Sequence, residues 1–203
     1  MKVLSRKVFS SIYTKHGWSG HSISGRGSEP DATSVLSVKL EALIKDFKIK
    51  SILDLGCGDA NWITKINLSG ARYCGMDTVK PLIRQNILKY PGYRFVVGDP
   101  LIGKELPKVD LVVCRDCLVH LCLEDVWIVK NKIKKSGSTY CLLTTFSERI
   151  TNSTIMTGQW HPMNLEIPPY NFEQPLYLLN EECKQYKGKY SDKCLGLWEC
   201  YKL

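Results

Sequence analysis

The stretch Leu53-Asp54-Leu55-Gly56-Cys57-Gly58-Asp59-Ala60-Asn61 decides the fold. It continues from Ser51-Ile52 and reads as a short strand running into two glycines and then a helix. Glycines at such a corner let the backbone turn tightly and approach a ligand closely. Outward from it, further short β-rich runs follow at 72–76 (ending at Asp77), 93–97 (ending at Gly98-Asp99-Pro100), 109–114 (ending at Arg115-Asp116) and 139–146. Spacers of helical pattern lie at 60–68, 79–90 and 118–134. Continuous apolar runs separated in this way predict a parallel sheet buried on both faces. Upstream, 33–47 reads as a helix with Val35, Leu36, Leu40, Leu43, Ile44 and Phe47 on one stripe and Asp31 or Thr33 as its cap. Two late runs, 176–179 and 195–203, read as an antiparallel pair closing the sheet edge. The expected architecture is an α/β, doubly wound, Rossmann-like seven-stranded sheet, mostly parallel with an antiparallel C-terminal strand.

With 203 residues, 44% of them apolar and 24% charged, the chain suits one ordinary globular domain. No apolar run approaches the ~20 residues that span a bilayer, which excludes a membrane-spanning helix. The formal charge of +8 suits an anionic partner without requiring one. The nine cysteines are odd in number and sit mostly inside apolar runs, so they read as small buried hydrophobes in a reducing, cytoplasmic compartment. The first segment has no secretory signal; it lacks acids until Glu29, which leaves a mitochondrial presequence as one reading. The helical spacing of Val3, Leu4, Val8 and Ile12 supports the simpler one, a short helix lying on the domain. Residues 1–32 thus read as an N-terminal helix and a Gly/Ser-rich segment, 33–203 as a single domain, and about 150–175 as a long irregular loop.

Asp77 lies 23 residues after Asp54, at the second strand end, where a carboxylate can accept from both ribose hydroxyls. Asp99 follows 22 residues later, where an acid can accept from an adenine amino group. The third glycine of a dinucleotide fingerprint is replaced by Asn61, and Asp54 with Asp59 makes the corner negative. That suits a cationic nucleoside better than a pyrophosphate. On Leu53–Gly58, Gly75-Met76-Asp77, Gly98-Asp99-Pro100 and the closing strand pair, the chain from about residue 50 resembles the class I S-adenosylmethionine-dependent methyltransferases. The resemblance implies S-adenosyl-L-methionine as cofactor. Asp54, Gly56 and Gly58 would hold its methionine part, Asp77 its ribose and Asp99 its adenine, with Cys57, Asn61, Trp62, Thr78 and Pro100 beside them.

Methyl transfer from a sulfonium is an in-line displacement, so a protein mainly positions the acceptor atom and excludes water. A hydroxyl acceptor also needs a base. Cys114-Arg115-Asp116-Cys117-Leu118-Val119-His120 offers one: Asp116 and His120, four residues apart, would share a helix face. His120 reads as general base, Asp116 as its orienter or a second acceptor-binding group, and Arg115 as a partner for the cofactor carboxylate or a polar acceptor group. The alternative is a core histidine satisfied by its neighbour, with Arg115 in an ion pair. Cys114-x-x-Cys117 with His120 and Cys122 resembles half a zinc site or a redox pair, but no second half-site accompanies it and no metal is expected.

Two loops complete the reading. Trp18 to Ser28 is small-residue rich, and reads as a lid in which Trp18, Arg26 and Ser28 meet the cofactor, or as a flexible linker. Residues 152–172 hold Trp160, His161, Asn164, Glu166, Tyr170 and Phe172, a set that could stack and hydrogen-bond a sugar ring or stack a base. The Arg-Asp-Cys-x-x-His and Trp-His-Pro-x-Asn-Leu segments resemble a bacterial and viral branch found with polysaccharide-building enzymes. That implies O-methylation of a carbohydrate hydroxyl, such as one on a rhamnose-like deoxyhexose, with Trp160, His161 and Asn164 at the substrate. The alternatives are an RNA methyltransferase and a binding protein that has kept the fold. Residues 151–203 carry 5 basic and 6 acidic side chains, which weighs against RNA on that side.

Overall fold

The computed structural model describes residues 4–203, of residues 4, 185 and 186 the backbone alone. Seven strands form one sheet: β1 (Ser51–Leu55), β2 (Arg72–Asp77), β3 (Arg94–Val97), β4 (Leu111–Cys114), β5 (Tyr140–Phe146), β6 (Tyr177–Asn180) and β7 (Lys193–Glu199). Their order is β3-β2-β1-β4-β5-β7-β6. Neighbours among β1 to β5 are parallel, and β7 runs antiparallel to both β5 and β6. The expected seven-stranded α/β architecture is the one observed. The chain leaves β1 toward β2 on one side and reaches β4 on the other, so the strand order reverses there. Ligands of open α/β sheets bind at such a switch point, beyond the carboxyl ends of the strands.

Alternation along β1 splits the core in two. Leu53 and Leu55 join Val126, Val129 and Ile133 of α4 (Leu123–Lys135) on one face. Ile52 joins Leu36, Leu40, Leu43 and Ile44 of α2 (Pro30–Asp46) on the other, where Ile83 of α3 (Lys80–Lys89) also packs. The N-terminal helix α1 spans Leu4–Thr14; Val3 lies outside the described residues.

Several boundaries differ from expectation for local reasons. α2 starts at Pro30, whose fixed φ suits the first helical position, and neither Asp31 nor Thr33 caps it. Instead the Thr33 hydroxyl donates to the Glu29 carbonyl at 3.0 Å. The spacer at 60–68 holds only a 3-10 turn, Ile63–Lys65, because Ala60 is left-handed (φ 52) and Asp59 is claimed by serines of the preceding segment. β7 stops at Glu199 and is followed by a 3-10 turn, Cys200–Lys202. The irregular loop near 150–175 is largely core: Met163, Leu165, Tyr170 and Phe172 are buried on the α4 face. No helix connects β5 to β6, so this loop supplies the apolar cover.

In β7, Gly196 sits two residues before Trp198, whose indole donates to the Glu173 carbonyl at 2.6 Å. A Cβ at Gly196 would collide with that ring. Gly196→Val is expected to lower stability by about 1–3 kcal/mol through overpacking, measured by urea unfolding.

Candidate functional site

A cavity of about 620 Å³ opens beyond the carboxyl ends of β1, β2, β3 and β4. That is within the range of pockets for small organic ligands. Of the residues singled out from sequence, Trp18, Arg26, Gly56, Gly58, Asp77 and Thr78 line it, as do Asp99, Pro100, Asp116, His120 and Trp160.

At one end lie two carboxylates. Asp77 accepts from the backbone N–H of Gly58 (3.1 Å) and Val79 (2.9 Å). Burial raises its pKa against the pull of those bonds. Asp99 accepts from the N–H of Leu101 (2.9 Å) and from the Ser5 hydroxyl of α1 (3.0 Å). Between them and β4, Gly56 and Gly58 are left-handed, at φ 72 and 55. A Cβ on Gly58 would strike the Ser24 side chain, and one on Gly56 would come within 2.9 Å of the Cys117 sulfur. The 19–28 segment is fastened over this turn: Ser22 donates to Asp59 and the Asp59 N–H donates to Ser24, both at 2.7 Å.

His120 stands at the other end. Its Nδ1 is 2.9 Å from the Gln159 carbonyl. A carbonyl only accepts, so the proton sits on Nδ1 and Nε2 keeps its lone pair. Trp18 lies against the imidazole with ring centroids 4.3 Å apart. Burial holds the His120 pKa below the usual histidine value, although the Gln159 bond and Asp116 oppose this. The loop bearing Trp160 is zipped onto the same turn, since Gly158 N–H donates to the His120 carbonyl (2.8 Å) and His161 N–H to that of Val119 (3.1 Å).

Asp116 does not share a helix face with His120. Its backbone is left-handed (φ 50) and residues Leu118–His120 form a 3-10 turn. Its carboxylate meets Lys193 at 2.6 Å and Arg115 at 3.4 Å. Burial alone would raise its pKa, but Lys193 and Arg115 outweigh that and hold it at about 2. Arg115 is not among the residues that line the cavity. It is buried in a two-pronged contact with Glu181 (3.0 and 2.6 Å), donates to the Gly27 carbonyl at 2.8 Å and lies 5.1 Å over Trp62. The ion-pair alternative for Arg115 is therefore the observed one.

Other expected contacts also fall outside the lining. Asp54 is buried under the glycine turn and accepts from the Tyr73 hydroxyl at 2.7 Å. Period-two alternation turns it toward the α2 face with Ile52. Cys57 and Trp62 are buried in the core on that same face. Ser28 and Asn61 fasten the 19–28 segment instead. His161 is buried, its Nδ1 3.2 Å from the Ser153 hydroxyl. Asn164 locks its loop through the Arg149 carbonyl (2.9 Å) and Asn152.

Lys193 is the functional candidate that sequence reading missed. It lines the cavity, and its ammonium also lies 3.1 Å from Glu181. The available signal is a lysine opening the apolar run Cys194–Trp198, a position that demands a buried acid as partner. Phe9 and Tyr13 of α1 and Tyr190 were also missed, although all three line the cavity. Among the described residues no group of three His, Cys, Asp or Glu side chains could share a metal ion, and no helix is long and apolar enough to cross a membrane.

The fold is that of class I methyltransferases. It is similar to magnesium protoporphyrin IX methyltransferase (ChlM) from Synechocystis PCC 6803 with bound SAH, at 17% identity and TM-score 0.55 over 72% of this chain and 73% of that one. The same enzyme with bound SAM gives 16% and 0.52 over 75% and 79%. The methyltransferase domain of bacterial CtHen1-C gives 15% and 0.50 over 56% of this chain, which spans 66% of that domain. No protein-family model and no curated protein matches the sequence.

Burial pushes Asp54 up to about 7, against the Tyr73 hydrogen bond. The folded state then binds a proton that the unfolded chain releases near pH 4, so this group's contribution falls as pH rises from about 4 through 7. Asp54→Asn, which keeps the acceptor for Tyr73, should remove that decline and be more stable than the parent at pH 8. Urea unfolding at pH 5 and pH 8 measures it.

Proposed function

We propose that the chain is an S-adenosylmethionine-dependent methyltransferase that O-methylates a sugar hydroxyl, with His120 as general base. One observation carries this: a single cavity holds two carboxylates at one end and, at the other, a histidine whose Nε2 is left available by the Nδ1–Gln159 bond. The ChlM structures with SAM and SAH bound support the choice of cofactor for this fold.

The residues present fit that cofactor. Asp77 suits the ribose hydroxyls and Asp99 the adenine amino group, and Thr78 and Pro100 line the cavity where the nucleoside would lie. Gly56 and Gly58 leave the backbone bare where the methionine part would lie, and Arg26, also in the lining, is a residue type suited to its carboxylate. When bound, the cofactor supplies an electrophilic methyl on a positively charged sulfur, and transfer returns the electron pair to sulfur.

His120 Nε2 takes the acceptor's proton, and the charge gained is spread through Nδ1–H toward the Gln159 carbonyl. Asp116 and Lys193, an acceptor and a donor side by side in the cavity, suit neighbouring sugar hydroxyls. Trp160, 41% exposed, offers the flat face on which a sugar ring stacks. The nine free cysteines agree with a reducing, cytoplasmic setting.

Millimolar S-adenosylhomocysteine is expected to raise the melting temperature, and Asp77→Ala to abolish the rise. An unmoved melting curve in the parent protein would overturn the cofactor assignment. His120→Ala should keep that thermal shift while losing about 10²–10⁴-fold in transfer rate, measured with labelled methyl. Because the base works unprotonated, rate in the parent should fall with decreasing pH at a midpoint below 6.5, the ordinary histidine value, and His120→Ala should flatten that limb.

A further inference from the structure

The charge of +8 is concentrated in two places. Of 28 basic side chains, five fall in residues 1–28 and three in residues 183–190, and neither segment contains an acid. The other 20 are matched by the 20 acidic residues, all of which lie elsewhere, so the whole excess belongs to these two segments.

Both segments border the cavity. The first does so through Phe9, Tyr13 and Trp18, the second through Cys183 and Tyr190 at its two ends. Arg6 lies three residues before Phe9 and seven before Tyr13, on the same helical stripe. Lys184, Lys187 and Lys189 are exposed. Acids inside the cavity do not offset them. Asp116 is paired with Lys193, and Asp77 lies at the far end from residues 183–190; Asp99, bonded to Ser5 beside Arg6, stands against the first segment and leaves the second unopposed. Glu182, next to the second segment, is bound to Lys39 at 3.0 Å.

This basic rim meets an aromatic wall. Tyr190 stacks edge-on with Trp160, centroids 5.1 Å apart, and Lys189 lies 5.5 Å over the Tyr190 ring. An aromatic face beside lysines matches a ring that carries an anion. Lysines act as point charges and suit the multiply charged phosphoryl group, whereas a planar carboxylate is matched by an arginine fork.

From this we infer that the acceptor is a sugar phosphate: its ring rests against Trp160 and its phosphoryl group meets the lysines of residues 183–190. The inference rests on the methyltransferase reading and names its substrate class. The phosphoryl group takes no part in the transfer; it anchors and orients the hydroxyl at His120.

The test uses the full chain saturated with S-adenosylhomocysteine. Tryptophan fluorescence follows titration with glucose 1-phosphate, inorganic pyrophosphate, methyl glucoside and glucuronate, and anisotropy follows a labelled eight-nucleotide oligoribonucleotide. The phosphorylated probes should bind at least about tenfold tighter than methyl glucoside or glucuronate. The double variant Lys187→Ala/Lys189→Ala should lose that margin, with a salt slope shallower by about one per lysine removed. Its calorimetric affinity for S-adenosylhomocysteine should not change. Tightest binding of the oligoribonucleotide would identify a nucleic-acid backbone as the source of the phosphate, and a preference for glucose 1-phosphate a free or glycan-linked sugar phosphate. Equal binding of the uncharged or carboxylate sugar, no binding of any phosphorylated probe, or an unaltered double variant would overturn the inference. Failure of the parent protein to bind S-adenosylhomocysteine would instead overturn the methyltransferase reading, and the phosphate titrations can be read without that ligand.

Discussion

Four charges at the tip of the sheet, three of them buried and one facing the cavity, hold the molecule's working end together. Arg115 at the end of β4, Glu181 just after β6, Lys193 opening β7 and Asp116 on the turn after β4 neutralise one another within 2.6 to 3.4 Å. Arg115 extends the set to the Gly27 carbonyl, so the segment over the glycine turn hangs from the same cluster. Removing one partner from such a set costs on the order of 3–5 kcal/mol, because a net charge is left uncompensated among buried groups. The antiparallel insertion of β7 between β5 and β6 is what brings Lys193 beside Asp116. Topology and cavity chemistry are thus one constraint: the strand that completes the sheet also delivers the cation to the site.

The parallel half of the fold was legible because it follows a rule of alternation. β1 to β5 are continuous apolar runs separated by helical spacers, and acids at strand ends have nowhere to go but the switch-point crevice. Asp77 and Asp99 are there. Asp54 is not, since its place inside β1 turns the side chain toward Tyr73 and α2, and residue spacing alone does not reveal which face a strand residue takes at the sheet tip. The Asp116–His120 pair shows the opposite failure. Four-residue spacing implies a shared face only in a helix, and the left-handed Asp116 with a 3-10 turn after it breaks that premise while leaving both side chains in one cavity.

The carboxyl-terminal third was harder because its order is supplied by tertiary contacts. Residues near 150–175 have no period, yet Tyr170 and Phe172 are core residues, and only Trp160 of the three aromatics reaches the cavity. An aromatic loop that covers a sheet and one that grips a ligand have the same composition. What separates them is whether a helix is available to do the covering, and between β5 and β6 there is none.

The loop that presents Trp160 also holds the proton on His120, through Gln159, one residue away. The exposed indole and the tautomer of the imidazole therefore hang on adjacent peptide units. A lineage that altered this loop to accommodate a new ring would at once disturb the tautomer of its histidine, so the two traits are inherited as a block. The lysines of residues 183–190 belong to another stretch of chain, so a change of charge there leaves the Gln159–His120 bond in place.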